Sequence, residues 1–285
     1  MKRILAIILV VACMAGSILL FSSCGKINAG KDLETIKKAG TLKVGMECNY
    51  APFNWTQAKT SDTAVALSAG GYADGYDVQI ALEIAKALGV ELEIVKLEWG
   101  GLIPALESGK IDCIIAGMSP TAERKMSIDF TDHYYTSELV MVIRADGEYV
   151  NAKSISDFSG AKITGQSETF HYSVIDQIDG VQKQTAMSDF TTMLTALQGK
   201  KIDGYVSELP GAKSAVTANP DLTYIVFDEG KGFEASEDDV AVSIGIRKGS
   251  NLASDVNAAL KAITQDDRDA LMQWALENQP LTAEE

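Results

Sequence analysis

The amino-acid sequence predicts an α/β protein of two lobes, each built on an open, mainly parallel sheet. Two observations carry this prediction: short apolar runs alternate with amphipathic helical segments, and one helix–strand unit occurs twice in the chain. With 46% hydrophobic and 22% charged residues among 285, the chain has the composition of an ordinary folded protein. This length is enough for one large domain or two smaller ones.

The first elements follow residue 40 in a regular order. Apolar residues between 41 and 46 alternate with polar or small ones, which is the pattern of a strand. Asp77 is then expected to cap a helix with apolar residues about 3.6 positions apart, and Gly89 to end it. The pattern next predicts a strand at 90–97, a helix at 101–108, a strand at 111–117 and a helix capped by Thr121.

The repeated unit consists of Ala-Leu, three variable residues and Lys-Ile-Asp. It ends at Asp112 and again, 91 residues later, at Asp203. Five residues beyond each aspartate the predicted strand ends, at Gly117 in the first copy and at Glu208 in the second. Ligands of open parallel sheets bind beyond the carboxyl ends of the strands, so two facing sheets would form a cleft. We expect Ser119 on one wall of this cleft and Glu208 on the other.

The charge balance and the scarcity of metal-binding residues exclude several functional classes. Lys and Arg number 25 against 39 Asp and Glu, a net charge of −14, so no excess basic surface is present to bind nucleic acid. The two histidines, His133 and His171, are far apart in sequence, and no Cys-x-x-Cys pair occurs. We therefore predict neither a metal site nor a cofactor.

The N-terminus has the features of an export signal. Lys2 and Arg3 precede an apolar or small-residue run from Ile4 to Phe21, and Ser-Ser-Cys24 follows. This arrangement resembles a lipobox and predicts a signal peptide at 1–23, lipidation of Cys24 and a linker at 24–31, with the protein held at the membrane by that lipid. The alternative is an uncleaved anchor, because the run of about 18 residues is near the minimum for a membrane-spanning helix.

Two cysteines remain in the expected mature domain, Cys48 and Cys113. The predicted strands place Cys48 just past the carboxyl end of one strand and Cys113 near the start of another. This separation exceeds the roughly 7 Å that a disulfide permits between Cα atoms. We expect both to be buried free thiols.

Five segments, taken in order, resemble the polar amino-acid-binding family of ABC-importer solute receptors, solute-binding family 3. They are residues 47–53, 75–78, 99–106, 116–124 and 129–135. The resemblance implies a type II periplasmic-binding-protein fold with lobe 1 at 32–133 and 243–285, lobe 2 at 139–238, and hinges at 134–138 and 239–242. It also implies a monomer on the outer face of the cytoplasmic membrane that delivers a free amino acid to an ABC permease.

The resemblance assigns residues to the shared part of an amino acid. Arg124 matches the arginine that binds the ligand α-carboxylate, and a guanidinium fork suits that group. Ser119 is the hydroxyl residue beside it, and Thr169 adds a second contact from the loop at 165–169. Glu208 matches the carboxylate for the α-ammonium, usually Asp in relatives. The predicted set also includes Gly117 of the segment at 116–124 and Gln166 of the loop at 165–169.

Three residues are expected to contact the ligand side chain. Tyr50 and Trp99 match two aromatics that enclose it, although buried aromatics more often serve only as core. Glu47 matches an acid that meets its distal end. A cation between two rings and ending on a carboxylate gains cation–π and ion-pair energy together, which favours arginine or lysine. Relatives specific for glutamine carry an acid at this position too, so glutamine is the alternative.

The roles of Glu168 and His171 are left open, and two other functions of the whole protein remain as alternatives. Glu168 replaces a glycine that is usual in the family, and His171 is interpreted as a surface or capping residue in preference to a ligand contact. The same fold also hosts dehydratases such as cyclohexadienyl dehydratase, which would use a carboxylate as general acid. A sensor that binds amino acids without transport is the third function.

Overall fold

The computed structural model describes residues 29–280, which include three sheets and the helices around them. The strands are β1 (Thr41–Met46), β2 (Trp55–Gln57), β3 (Val65–Ala66), β4 (Tyr72–Asp74), β5 (Glu91–Lys96), β6 (Cys113–Ile114), β7 (Ile128–Thr136), β8 (Leu139–Arg144), β9 (Lys162–Thr164), β10 (Gln182–Lys183), β11 (Gly204–Glu208), β12 (Leu222–Ile225) and β13 (Ala241–Arg247). The α-helices are α1 (Asp32–Ala39), α2 (Tyr76–Leu88), α3 (Leu102–Glu107), α4 (Arg124–Ser127), α5 (Phe170–Ser173), α6 (Phe190–Gln198), α7 (Leu209–Ala218), α8 (Glu237–Val240), α9 (Ala253–Ala262) and α10 (Gln265–Asn278).

Two five-stranded sheets form the two lobes. The sheet of the first lobe has the order β5-β1-β6-β13-β7, and that of the second lobe has the order β10-β9-β11-β8-β12. The chain leaves the first sheet at the end of β7 and enters the second with β8, then returns with β13. A small sheet, β2-β4-β3, belongs to the loop region of the first lobe between β1 and α2.

Both large sheets are mixed, and four of the five strands in each run in the same direction, in agreement with the predicted mainly parallel sheets. In the first sheet β13 runs antiparallel to β6 and β7, and in the second β8 runs antiparallel to β11 and β12; the remaining pairs are parallel. The reversed strand in each lobe is the one that brings the chain in from the other lobe. It starts at the edge where the parallel strands end, and it must therefore run against them.

The second sheet is covered on both faces. Met141 and Ile143 of β8 pack in one hydrophobic cluster, while Val140 and Val142 of the same strand pack in another. Successive side chains of a strand point to opposite faces, so the two clusters lie on opposite sides of the sheet. Apolar side chains fill both layers, as expected for a sheet with helices on both sides.

An arginine completes the repeated sequence unit in the first lobe. Arg247, the last residue of β13, donates from Nη1 to the carbonyl oxygens of Leu106 at 3.3 Å and Ile111 at 2.6 Å. Its Nη2 lies 3.4 Å from a carboxylate oxygen of Asp112. The same aspartate accepts the backbone N–H of Lys43 at 2.9 Å, which ties the unit to β1.

The second lobe repeats this arrangement with different residues. Arg144, the last residue of β8, donates from Nη1 to the carbonyl oxygens of Leu197 at 3.1 Å and Ile202 at 2.7 Å. Its Nη2 lies 3.5 Å from Asp203, and Asp203 accepts the backbone N–H of Lys162 at 2.9 Å. The 91-residue repeat in the sequence is therefore a repeat of hydrogen bonding as well.

One local prediction is met and two helix caps are corrected. Gly89 ends α2 in the left-handed conformation with φ +73°. The N-cap of α4 is Glu123 and not the predicted Thr121, which lies two residues earlier and accepts the Arg124 N–H on Oγ1 at 3.3 Å. Asp77 does not cap α2, because the N-cap position is Gly75. Asp77 is instead buried in the first turn, where it accepts hydrogen bonds from the Tyr134 hydroxyl at 2.7 Å and from Asn54 Nδ2 at 2.8 Å.

The two described cysteines, Cys48 and Cys113, are buried free thiols, which confirms the prediction. Burial raises the pKa of Cys48 to about 12, so this thiol stays protonated. The predicted signal peptide and Cys24 lie outside the described residues. Within residues 29–280, no helix is both long and apolar enough to cross a membrane.

Candidate ligand-binding site

The candidate site lies between the lobes, where the carboxyl ends of parallel strands from both sheets meet. A cavity of about 20 Å³ is lined by every predicted site residue except Glu47: Tyr50, Trp99, Gly117, Ser119, Arg124, Gln166, Thr169 and Glu208. Glu47 is one contact away, through Gln166. The structure thus brings together the residues that the sequence assigned to one site.

Arg124 is the positive group of the site. It begins α4, and its Nη1 donates to the Ser119 carbonyl at 2.9 Å while Nη2 donates to the Glu168 carbonyl of the second lobe at 3.0 Å. The guanidinium carbon lies 5.0 Å from the ring centre of Trp99, a cation–π distance. Burial lowers the pKa of Arg124 to about 10, so it is charged at neutral pH.

Glu208 is the negative group on the second lobe. It ends β11, is buried, and accepts a hydrogen bond from the Tyr50 hydroxyl across the cleft. Burial raises the pKa of Glu208 to about 7, although the hydrogen bond from Tyr50 opposes this rise. A buried carboxylate of this kind gains from a cationic partner, because the charge would then be compensated inside the cleft.

Glu47 is a second buried acid, on the first lobe just after β1. Gln166 Nε2 lies 3.3 Å from Glu47 Oε1 and donates to the Ser188 carbonyl at 3.0 Å. Burial, with smaller contributions from the nearby acids Asp189 and Glu98, raises the pKa of Glu47 to about 7, although the hydrogen bond from Gln166 opposes this rise. Each lobe therefore supplies one buried carboxyl group near the candidate cavity.

The loop at 165–169 has an unusual backbone at Glu168. This residue has φ +59°, in the left-handed region that favours glycine, which accounts for the glycine usual at this position in the family. Its side chain lies over Gly100 of the first lobe, where an added Cβ would be 3.0 Å from Glu168 Oε2. At the end of the loop, Thr169 Oγ1 donates to the Gln166 carbonyl at 2.7 Å.

Tyr50 and Trp99 do not simply face each other as two walls of a ligand site, because each packs against a different group. Trp99 faces Arg124, and its Nε1 lies 3.4 Å from the Glu168 carbonyl oxygen. Tyr50 stacks against Phe53 with ring centres 5.3 Å apart and against Phe190 at 4.4 Å. Tyr50 therefore joins an aromatic stack that spans both lobes.

Three residues that the sequence did not assign to the site also line the cavity: Phe170, His171 and Phe190. His171 was expected at the surface or as a cap, but its Nδ1 is buried and has no hydrogen-bond partner among the described residues. Burial, together with the charge of Arg124, lowers the pKa of His171 to about 4, so the imidazole is neutral at pH 7. Phe170 and His171 directly follow the matched loop at 165–169, and that position is the signal that could have assigned them to the site. Phe190 has no such spacing from a matched segment.

The cavity is far smaller than an amino acid. A space of about 20 Å³ accommodates roughly one water molecule. Side chains from both lobes must move apart before a larger molecule can reach Arg124, Glu208 and Glu47. The opened site can then bind a carboxylate at Arg124 and a cationic group at each of the two acids, Glu208 and Glu47.

Comparison with known proteins places these features in a family. The profile of the bacterial extracellular solute-binding proteins, family 3, matches residues 42–274. A probable histidine-binding protein of Campylobacter jejuni is 36% identical over 200 residues, 70% of this chain and 72% of that protein. The arginine-binding extracellular protein ArtP of Bacillus subtilis is 29% identical over 257 residues, 90% of each chain.

Solved structures agree with this comparison. An amino acid ABC transporter substrate-binding protein from Streptococcus pneumoniae, bound to L-arginine, superposes with a TM-score of 0.76 at 25% identity and covers 86% of this chain and 98% of its own. The fold is that of a type II periplasmic binding protein. Since the family profile spans most of the sequence, the chain belongs to the bacterial extracellular solute-binding proteins of family 3.

Proposed function

We propose that this protein is the amino-acid receptor of an ABC importer and that its ligand carries a cationic side chain, as arginine and lysine do. One observation carries the proposal: Arg124 of the first lobe and Glu208 of the second line the same interlobe cavity, with Glu47 one contact away. These charges complement an α-carboxylate, an α-ammonium and a side-chain cation. Named relatives that bind arginine or histidine support the same ligand class.

Each charged group has a defined role in this proposal. Arg124 binds the α-carboxylate with help from Ser119 and Thr169, and Glu208 binds the α-ammonium. Glu47 selects a cation at the far end of the side chain, with Gln166 beside it. Tyr50 and Trp99 supply aromatic surface along the ligand, and the Gly117 backbone completes the floor.

Ligand-driven closure follows from the electrostatics. Closing the lobes removes Glu47 and Glu208 from water, which is unfavourable for the charged carboxylates and is reflected in pKa values raised to about 7. A ligand with two cationic groups compensates for the lost solvation of these two carboxylates and contacts both lobes. It therefore favours the closed form, and the permease would recognise that form.

The location and the domain boundaries are part of the proposal. We propose export under the signal at 1–23 and attachment to the outer face of the cytoplasmic membrane through lipid on Cys24. The receptor would act as a monomer, with lobe motion about hinges at 134–138 and 239–242. In cells, Cys24→Ala should give unprocessed, lipid-free protein; a mutant that still carries lipid and is cut at the same bond would contradict the anchor.

The decisive experiment is a binding screen of the purified receptor against the common amino acids. A ligand at 100 times its dissociation constant should add about 2.7 kcal/mol to the free energy of unfolding, which a thermal shift detects. Arginine or lysine should give the largest shift. A preference for glutamine would contradict the cationic ligand and support the alternative, while no response to any amino acid would contradict the receptor.

A turnover assay addresses enzymatic activity. A structural relative is an ancestral amino-acid-binding protein described as a precursor of cyclohexadienyl dehydratase, with a TM-score of 0.70 and 28% identity. We propose a receptor without catalytic activity, because the named sequence relatives are binding proteins. Turnover of prephenate or arogenate by the purified protein would contradict this.

A further inference from the structure

The groups proposed to hold the ligand are already paired with groups of the opposite lobe. Arg124 donates to the Glu168 carbonyl, and Glu47 lies within hydrogen-bond distance of the Gln166 amide. Glu208 accepts the hydroxyl of Tyr50. Both side chains are buried in the second and third pairs, in which Glu47 is 5%, Gln166 3%, Tyr50 6% and Glu208 7% exposed.

Tyr50 is held tightly by both lobes. A Cβ added to Gly117 of the first lobe would lie 3.0 Å from Tyr50 Cε1, and one added to Gly211 of the second lobe would lie 3.2 Å from Cε2 and 3.3 Å from the hydroxyl oxygen. Both backbones therefore approach the phenol ring too closely for a larger residue. The ring also stacks on Phe190 of the second lobe at 4.4 Å.

The hydroxyl of Tyr50 and the ammonium of an amino acid are alike in one respect. Both are hydrogen-bond donors that satisfy a buried carboxylate. The space beside Glu208 is about 20 Å³, so an ammonium with its attached Cα cannot enter while the phenol stays in place. The exclusion is steric, since a carboxylate can accept more than one donor. In the closed arrangement the phenol occupies the space that the ammonium needs, so either the Tyr50–Glu208 hydrogen bond or the ligand contact to Glu208 is made.

We propose that the Tyr50 hydroxyl is an internal competitor of the ligand ammonium, which holds the lobes together through Glu208 and thereby sets the affinity of the receptor. The inference rests on the proposed function of Glu208. Molecules in which Tyr50 occupies Glu208 do not bind ligand, so the apparent dissociation constant is the intrinsic one divided by the fraction that is free. Tyr50 is thus a residue that tunes affinity, in addition to any contact of its ring with the ligand.

Tyr50→Phe removes the hydroxyl and keeps the ring, so it separates the two roles. A net hydrogen bond of about 1 kcal/mol corresponds to roughly fivefold in an equilibrium constant, and we expect arginine to bind about three- to tenfold more tightly to the variant by titration calorimetry. If the hydroxyl instead contacts the ligand or supports the bound form, binding weakens. Equal or weaker binding to Tyr50→Phe would overturn the proposal.

The matched control is Tyr205→Phe. Tyr205 meets Phe190 edge-on at 6.2 Å, so this change deletes a hydroxyl from the same group of rings and leaves the Tyr50–Glu208 hydrogen bond in place. Its affinity for arginine should stay within about twofold of that of the wild type, a change small against the fivefold expected from one hydrogen bond. A gain as large as that of Tyr50→Phe would show that the effect is not specific to Glu208 and would also overturn the proposal.

A measurement without ligand keeps the inference distinct from the proposed function. Solution scattering of the ligand-free receptor should give a larger radius of gyration for Tyr50→Phe than for the wild type. Gly211→Ala should act in the same direction, because its methyl group would displace the phenol. If no amino acid binds to the wild type, the proposed function is wrong, and an unchanged radius in both variants overturns the interlobe role of Tyr50 independently.

Discussion

We expect any amino-acid ligand of this cleft to depend on Arg124. It is the only arginine or lysine that lines the candidate cavity within residues 29–280, and it combines a guanidinium fork with a position beside Ser119. We expect Arg124→Ala to weaken binding at least tenfold, because a charge-assisted hydrogen bond contributes about 1.5 to 3 kcal/mol and the ligand carboxylate would be left unpaired.

The control for this change is Lys86→Ala on α2. Lys86 pairs with Glu83 of the same helix at 3.3 Å, and both side chains are exposed, so this ion pair contributes little. Its removal should leave the dissociation constant nearly unchanged. Calorimetry that shows less than a threefold loss for Arg124→Ala would exclude Arg124 from the site, since the expected loss is at least about tenfold.

Glu47 is expected to select the ligand side chain without affecting the α-groups. Glu47→Gln keeps the size and hydrogen bonding of the residue but removes the charge, so arginine or lysine should lose on the order of 1 to 3 kcal/mol of binding free energy. Glutamine should lose little. Titration of wild type and variant with arginine, lysine, histidine and glutamine measures the contrast; a variant that keeps its full preference for a cation would contradict the assignment.

The residues of the site differ in how far the sequence could predict them. Arg124, Ser119 and Glu208 lie in ordered segments of a known family, and the structure gathers them around one cavity. Phe190 has no such pattern, because its place in the site depends on how the two lobes meet. The stacking of Phe190 on Tyr50 is a tertiary contact between residues 140 positions apart, beyond the reach of local periodicity.

At the scale of elements, the helix–strand units were predictable and the reversed strands were not. The strand predicted at 90–97 is β5, Glu91–Lys96, and the helix predicted at 101–108 is α3, Leu102–Glu107, since apolar spacing defines both. The strand predicted at 111–117 is shorter, with only Cys113–Ile114 in β6. Apolar spacing carries no information on strand direction, so the antiparallel β8 and β13 required the structure.

The arginine that completes each repeated unit should be a stability determinant. Arg247 forms a fork with Asp32, with Nε and Nη2 each 3.0 Å from a carboxylate oxygen, besides its contacts to the repeat. Both side chains of this pair are buried, so Arg247→Ala leaves an unpaired buried carboxylate and should lower the free energy of unfolding by roughly 3 to 5 kcal/mol. Arg144→Ala in the second lobe should have a smaller effect, about 1 to 3 kcal/mol, because its partner Asp203 is more exposed.

Urea denaturation of both variants measures this difference. Lys43→Ala is the control, because the pair of Lys43 with Glu93 is exposed on both sides and its loss should change the free energy of unfolding by less than about 1 kcal/mol. Equal destabilisation by Arg247→Ala and Lys43→Ala would show that the arginine is not a structural centre of its lobe.

At the scale of the whole molecule, we expect the two buried acids to make lobe closure and ligand binding depend on pH. The pKa values of Glu47 and Glu208 are both raised to about 7 by burial, whereas in water a carboxyl group of this type titrates near 4.5. Between pH 4.5 and about 7, the closed form therefore binds more protons than an open form in which both carboxyl groups are exposed to water. Acid favours closure without ligand, and this advantage is lost as the pH rises toward 7.

Binding of a cationic ligand has the opposite pH dependence, because it needs both carboxylates in their charged form. Arginine remains fully protonated throughout the neutral range, and the pKa of His171, lowered to about 4, keeps that residue out of the same window. Between pH 6 and 8 the affinity for arginine should therefore rise by about tenfold for each carboxyl group that must lose its proton.

Calorimetry in buffers of different ionisation enthalpy should detect proton release on binding near pH 6.5. Glu47→Gln should lose about half of this proton release and a comparable part of the dependence of affinity on pH. An affinity that is flat from pH 6 to 8, with no proton release, would mean that the carboxyl groups are ionised before the ligand arrives and that the self-paired interlobe contacts are not populated in solution.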